Sequence, residues 1–240
     1  MEIVLTLLAL AGVSIIILNL NRFAKTLPFS VSKLAYINTQ LKFQTLLLSI
    51  ALLVLVALYF LSPATLSSFF SLGNIAAPAK AVSWLGISEG ESWLNLGANL
   101  SFFITLATAT FVFLQFRNAA GSFKLLVPLL FWVVLFSLSN SFSEEVIYRL
   151  GVIVPLAEPV DSRTLLLISA VAFGLPHLRG MPNGIVGAVM AGFLGWLLAK
   201  SVTETNGIFW AWFIHSLQDV VIFSAFVMAA DKKQEFTPRG

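Results

Sequence analysis

Residues 96–116 read LGANLSFFITLATATFVFLQF, and no side chain in this stretch carries a charge. An α-helix needs about 20 predominantly apolar residues to cross the hydrocarbon core of a bilayer. The stretch meets that requirement in both length and composition. It therefore predicts a membrane-spanning helix rather than the core helix of a water-soluble domain.

The remainder of the chain has the same apolar character. Hydrophobic residues make up 58% of the 240 residues and charged residues only 10%, whereas charged residues make up about 25% of a soluble domain. Further segments predicted to be membrane helices are residues 3–20, 46–61, 125–138, 165–177, 184–199 and 208–229. The sequence therefore predicts an all-α fold, a polytopic transmembrane bundle of about seven to eight helices that is integral to the cytoplasmic membrane.

Three regions are expected along the chain. Residues 1–120 contain no recognisable motif and are predicted to form an N-terminal transmembrane scaffold. Residues 121–230 contain the ionisable groups discussed below and are predicted to form the functional core, while residues 231–240 form a polar tail. Residues 3–20 are expected to be a retained first helix, because no basic region precedes them and no small-x-small cleavage site follows them.

Charge and cysteine content exclude several classes of protein. The formal net charge is +3, but the basic residues are scattered over short loops without forming a stripe. Nucleic acid is therefore not an expected partner, and the lipid bilayer is. The chain contains no cysteine, which excludes a disulfide framework, a thiolate nucleophile and a cysteine-based metal site.

Ionisable residues inside the apolar segments point to a function. The chain has only two histidines, His177 and His215, and both lie in such segments, as do Glu144, Glu145 and Arg149. A charged side chain at the centre of a bilayer costs about 2.5–3.5 kcal/mol on insertion scales, so these residues face a protein interior and mark functional sites. We interpret the five residues as parts of one buried active site.

Helical spacing separates the roles of the two glutamates. Glu145 and Arg149 are four residues apart and are predicted to form an intrahelical ion pair. Glu144 points about 100° away from Glu145, the angle between successive helical residues. It is therefore free to act as a general base. The structural alternative is a cluster of charges at the end of a loop.

The same spacing groups the histidines with two further side chains. His177 follows Phe173 by four residues, which places an aromatic ring beside the imidazole. His215 precedes Asp219 by four residues, so both are predicted to face the same way. A lone intramembrane histidine is often explained by a hydrogen bond that bridges two helices. The combination of two histidines with Glu144 and Asp219 favours a catalytic site.

The number of membrane crossings decides whether Glu144 and His177 can meet. With seven helices the two residues fall on opposite sides of the membrane. If residues 142–157 are also embedded, which makes eight segments, they return to the same side. The distribution of Lys and Arg over the loops favours seven crossings, whereas the chemistry favours eight. The orientation in the membrane is therefore left open.

Two hydrolytic chemistries fit these residues. No Gly-x-Ser-x-Gly motif and no His-Glu-x-x-His motif occurs, so a serine nucleophile is unsupported and a helix-borne zincin site is excluded. In one chemistry, Glu144 activates a water while His177 and His215 stabilise the oxyanion of a tetrahedral intermediate. In the other, a divalent metal such as zinc activates the water. Its expected ligands are Glu144, His177, His215 and Asp219.

The motifs together resemble those of a known family. They occur in the order Glu144-Glu145-x-x-x-Arg149, Phe173-x-x-x-His177 and His215-x-x-x-Asp219. This order is similar to the signature of the CPBP intramembrane proteases, also called the ABI family, which comprise the CAAX prenyl endopeptidases and bacteriocin-processing relatives. The resemblance covers roughly residues 125–226. It implies an eight-helix-like membrane core and an endopeptidase that acts on a membrane-associated or lipidated, CAAX-like, protein or peptide.

The resemblance also implies roles for individual residues. Glu144 would be the water-activating base, with His177 and His215 as its partners and with Glu145 and Arg149 as supporting groups. Members of the family are often described as metalloproteases, whereas a metal-independent glutamate mechanism is argued for those that cleave CAAX substrates. Both possibilities stay open for this chain.

One position departs from the family pattern. The fourth position is frequently Asn in the family, and here it is Asp219. An Asn amide can donate a hydrogen bond to an oxyanion, whereas an ionised Asp cannot. We therefore expect Asp219 to ligate a metal, to orient His215 or to be protonated.

Two other classes of function compete with proteolysis. A catalytically silent membrane scaffold or chaperone could retain the pocket, but the intact Glu144, His177 and His215 argue against it, because such costly charges are lost first from an unused site. A transporter or channel is typically built from internal repeats. No repeat is visible in this sequence.

Overall fold

The computed structural model describes residues 2–117, 126–180 and 184–235, and helices dominate these ranges. The α-helices are α1 (Glu2–Ala24), α2 (Ala35–Leu61), α3 (Pro63–Phe69), α4 (Trp93–Phe116), α5 (Leu126–Glu145), α6 (Gly151–Leu156), α7 (Ser162–Gly174), α8 (Gly184–Thr205) and α9 (Phe209–Glu235). Within the described residues, β-structure is limited to two isolated bridges in the connection between α3 and α4. The predicted all-α class is therefore confirmed.

Six helices of the described chain are long and apolar enough to cross a membrane. They are Ile3–Ala24, Ala35–Leu61, Trp93–Phe116, Leu126–Leu156, Gly184–Thr205 and Phe209–Ala229, and a shorter apolar helix spans Ser162–Leu178. Large apolar side chains such as Leu53, Val127 and Ile185 are exposed on the outside of the bundle. This distribution is typical of a multi-pass membrane protein, in which the outer surface contacts lipid.

The segments predicted separately at 125–138 and 142–157 form one continuous helical unit, Leu126–Leu156. Neither glycine nor proline interrupts the chain between them. The hydroxyls of Ser141 and Ser143 donate to carbonyl oxygens one turn earlier, at 2.7 and 2.8 Å, so these polar residues remain helical. Glu144 consequently lies inside a long membrane helix instead of at a helix end.

A π-helical turn, Val146–Leu150, joins α5 to α6 within this unit. Gly151 donates its N–H to the carbonyl of Val146, five residues earlier. The hydroxyl of Ser169 on α7 donates to the backbone oxygen of Tyr148 at 3.2 Å. Turns of this kind are frequent at functional sites, and this one directly follows the glutamate pair.

One predicted boundary was wrong. Helix α2 begins at Ala35 and not at residue 46, because the polar side chain of Gln44 is hydrogen-bonded inside the bundle and does not mark a loop. Helix α9 extends to Glu235, so the predicted polar tail 231–240 has a helical backbone in its first half. Residues 236–240 lie outside the described residues.

Candidate active site

The predicted Glu145–Arg149 pair exists and is completely buried. The Arg149 guanidinium meets the carboxylate through both of its oxygens, with Nε 2.9 Å from Oε2 and Nη2 3.0 Å from Oε1. The exposed fraction of both side chains is 0%. A two-point contact of this kind offsets much of the desolvation cost of two charges. The pair therefore places an ionised carboxylate deep in the bundle.

His215 is attached to this pair. Its Nδ1 lies 2.7 Å from Glu145 Oε1, and because an ionised carboxylate only accepts hydrogen bonds, Nδ1 is the donor. The other ring nitrogen, Nε2, lies 3.7 Å from Glu144 Oε2 and 3.9 Å from Asp219 Oδ2. Glu145 thus orients the imidazole, and Nε2 faces the other two carboxylates.

His177 is positioned by the end of α7. Asp161 caps the start of this helix by accepting hydrogen bonds from two backbone N–H groups, and the Thr164 hydroxyl hydrogen bond lowers the pKa of Asp161. At the other end the chain tightens into a 3₁₀ turn, Leu175–Leu178. There His177 Nδ1 lies 2.8 Å from the carbonyl oxygen of Phe173 and donates to it, so Nε2 is the free nitrogen.

The ring of Phe173 lies between the two imidazoles and the guanidinium of Arg149. Its ring centroid is 4.9 Å from that of His177 and 5.4 Å from that of His215. The guanidinium carbon of Arg149 lies 4.2 Å from the same centroid, within the range of a cation–π contact. The sequence prediction paired Phe173 with His177 alone, whereas the ring contacts both imidazoles.

A substitution on α8 tests the importance of this ring. An added Cβ at Gly195 would lie 3.0 Å from Phe173 Cβ and 3.3 Å from Ala170 Cα, so Gly195→Val must push α7 away. We expect a loss of about 1–3 kcal/mol of folding free energy, as for other overpacked cores. Thermal unfolding in detergent measures it. Gly12→Val is the matched control, because nothing lies within 4 Å of an added Cβ there, and equal midpoints for the two variants would contradict the prediction.

The sequence analysis missed the site residues Asn140 and Gln44. Asn140, one turn before Glu144, places Nδ2 3.3 Å from Glu144 Oε1 and 3.1 Å from Asp219 Oδ2. Its Oδ1 accepts a hydrogen bond from Gln44 Nε2 at 2.9 Å. The spacing of four between Asn140 and Glu144 was visible in the sequence, but the contacts with Gln44 and Asp219 join different helices.

These groups face one cavity of about 580 Å³, which is within the usual range for ligand sites. Its polar lining includes the ionisable groups of the three motifs, and its apolar lining includes Phe103, Phe111 and Phe193. The polar lining residues on α5, α9 and the turn after α7 include Asn140, Glu144, His177, His215, Gln218 and Asp219. Glu144 has an exposed side-chain fraction of 17%, whereas that of Glu145 is 0%. Glu144 is therefore the glutamate that a substrate or a water in the cavity can reach.

The proposed metal ligands were compared with the requirements of a zinc site. The Nδ1 atoms of His177 and His215 are both hydrogen-bonded, and their Nε2 atoms are therefore free, as in many metal sites. However, no three His, Asp or Glu side chains of the described chain are grouped closely enough to hold a metal ion. The Asn140 amide also directs N–H donors at the Glu144 and Asp219 oxygens. In this arrangement the residues do not fit a metal ion.

Comparison with known proteins identified one family. Residues 126–221 match the model of the family described as type II CAAX prenyl endopeptidase Rce1-like. The matched range contains all three motifs and confirms the resemblance drawn from them. No curated protein and no solved structure matches the chain. The match lies within the predicted core, residues 121–230, and leaves α1 to α4 outside it.

Proposed function

We propose that this chain, with its Rce1-like region at residues 126–221, is an intramembrane endopeptidase of the cytoplasmic membrane. Its substrate would be a membrane-associated or lipidated, CAAX-like, protein or peptide. The observation that carries the proposal is that Glu144, His177, His215 and Asp219, from three separate parts of the bundle, line one cavity. Apolar walls around these polar groups suit a peptide that enters from, or is anchored in, the bilayer.

In the proposed reaction Glu144 is the general base. It removes a proton from a water in the cavity, and the water oxygen forms a bond to the carbonyl carbon of the substrate. When the tetrahedral intermediate collapses, the C–N bond breaks and Glu144 returns the proton to the leaving amine. Glu145 is not available for this role, because its carboxylate is buried and already contacts Arg149 and His215.

His215 is proposed to stabilise the oxyanion, and His177 to hold the attacking water. His215 in its protonated form is held through Nδ1 by the ionised Glu145 and carries a second N–H at Nε2, beside Glu144. That N–H would donate to the oxyanion, whereas His177, whose Nδ1 already donates to the carbonyl of Phe173, would present Nε2 as an acceptor for the attacking water. Donors that are fixed before the reaction stabilise a developing charge without reorganisation.

We propose that the water is activated by Glu144 without a metal. The support is that Asn140 donates to one oxygen of each carboxylate, and that no three His, Asp or Glu side chains of the described residues are grouped as metal ligands. We therefore expect a strong chelator to leave the cleavage rate unchanged, measured as initial rate before and after dialysis against chelator. A loss that zinc restores would contradict this part of the proposal and favour the metal chemistry.

Hydrolysis of quenched fluorescent peptides by the purified protein in lipid nanodiscs tests the function. Two matched sets would be used, one of free peptides and one carrying a C-terminal lipid on an otherwise identical sequence. Cleavage of either set would support an endopeptidase, and preference for the lipidated set would support a lipidated substrate. Absence of cleavage in both sets would favour the silent scaffold.

A further inference from the structure

The two carboxylates of the cavity share a single amide group. Asn140 Nδ2 is 3.3 Å from Glu144 Oε1 and 3.1 Å from Asp219 Oδ2. A side-chain amide has two N–H donors, and both are used in these contacts. Asn140 therefore has no donor left for a substrate, and its effect on the reaction would act through the carboxylates.

The carboxylates on one side and Gln44 on the other side together fix which way this amide points. Gln44 Nε2 donates to Asn140 Oδ1 at 2.9 Å, and the exposed fraction of Gln44 is only 3%. If the Asn140 amide turned over, its oxygen would face two carboxylates and its NH₂ group would face the NH₂ group of Gln44. The contacts with the carboxylates would be unfavourable, and Gln44 would have to turn over as well to present its Oε1. These contacts thus keep the donors of Asn140 directed at Glu144 and Asp219.

We propose that Gln44 and Asn140 form a positioning relay that fixes the two cavity carboxylates for catalysis. The inference rests on the proposed endopeptidase function and extends it to α2. Gln44 lies outside residues 126–221, so part of the active site would be supplied by the region that carries no recognisable motif. The relay links α2, α5 and α9 through four polar side chains.

The relay has a specific kinetic consequence. Without the bridging N–H groups, Glu144 and Asp219 lose their shared donor and Glu144 moves out of line with the attacking water. Substrate binding depends mainly on the apolar walls of the cavity, which the relay does not form. Loss of the relay is therefore expected to lower kcat and to leave KM nearly unchanged.

Substitution of both members tests the relay. We expect Asn140→Leu to lower kcat on the order of 100-fold, as small misplacements of a catalytic group do, and Gln44→Leu to lower it about tenfold. The double variant should be no slower than Asn140→Leu alone, because residues that act as a unit are not additive. Thr45→Val is the matched control on α2, since its hydroxyl bonds only within the helix on an exposed face.

Two outcomes would overturn the relay: a kcat for Asn140→Leu equal to that of the wild type, or additive losses in the double variant. Thermal unfolding of the same four proteins gives a second readout that does not need catalysis. The relay predicts equal midpoints for Asn140→Leu and the double variant, and additive decreases would contradict it. If the wild type cleaves nothing, the endopeptidase proposal fails while these midpoints still decide whether the two amides act as one unit.

Discussion

Glu144→Gln is expected to abolish measurable cleavage while the protein remains folded. Gln has nearly the shape of Glu, and its side-chain oxygen can still accept the hydrogen bond from Asn140. It cannot take a proton from water. General acid–base groups contribute typically 10²- to 10⁴-fold, and we expect a loss of kcat of about that size in single-turnover cleavage of the fluorescent peptides.

Glu158→Gln provides the same chemical change at an exposed position in the α6–α7 connection. This control should cleave at the wild-type rate. If Glu144→Gln also retained that rate, Glu144 would not be the general base. Equal thermal midpoints for the two variants and the wild type would show that the loss of activity is not caused by unfolding.

Arg149→Ala is expected to have the largest effect on stability. It leaves the carboxylate of Glu145 buried without its guanidinium partner and removes the cation above Phe173. Removal of one partner from a buried ion pair costs about 3–5 kcal/mol. Unfolding by denaturant or heat in detergent should show a decrease of this size in the free energy of unfolding.

A double variant distinguishes the loss of the ion pair from the loss of side-chain packing at Arg149. Arg149→Met combined with Glu145→Gln removes both charges, keeps the volume and leaves an oxygen that can accept from His215 Nδ1, so this double variant should recover much of the lost stability. Arg163→Ala, at an exposed position on α7, is the control for removal of an arginine. A thermal midpoint for Arg149→Ala equal to that of this control would contradict a stabilising role for the pair.

Local spacing explains which contacts were predictable from the sequence. Glu145 with Arg149, and Phe173 with His177, are pairs within one turn, and the structure shows both. These contacts follow from the period of a helix, which the sequence carries directly. The helical membrane fold was predictable for a similar reason, because it depends on the length and hydropathy of single segments.

Contacts between distant helices were not predictable in this way. His215 meets Glu145 across 70 positions, and Gln44 meets Asn140 across 96. The sequence placed His215 and Asp219 on one helix face, with orientation of His215 as one of three options for Asp219, whereas the structure places Glu145 at hydrogen-bonding distance from His215. Such pairs depend on which helix faces contact each other, and a single sequence does not specify this. The uninterrupted passage of α5 into α6 was missed because serine and asparagine resemble loop residues when their partners are unknown.

The π-helical turn after Glu145 has a consequence for insertions and deletions. On its N-terminal side the helix presents Asn140 and Glu144 to α9, and on its C-terminal side Gly151 faces Leu10 and Val54. Each helical residue rotates the chain by about 100°, so loss of one residue from the turn would rotate one half relative to the other. Either Asn140 and Glu144 would then no longer face α9, or Gly151 would no longer face α1 and α2. The length of this short segment is therefore as tightly constrained as the identity of its residues.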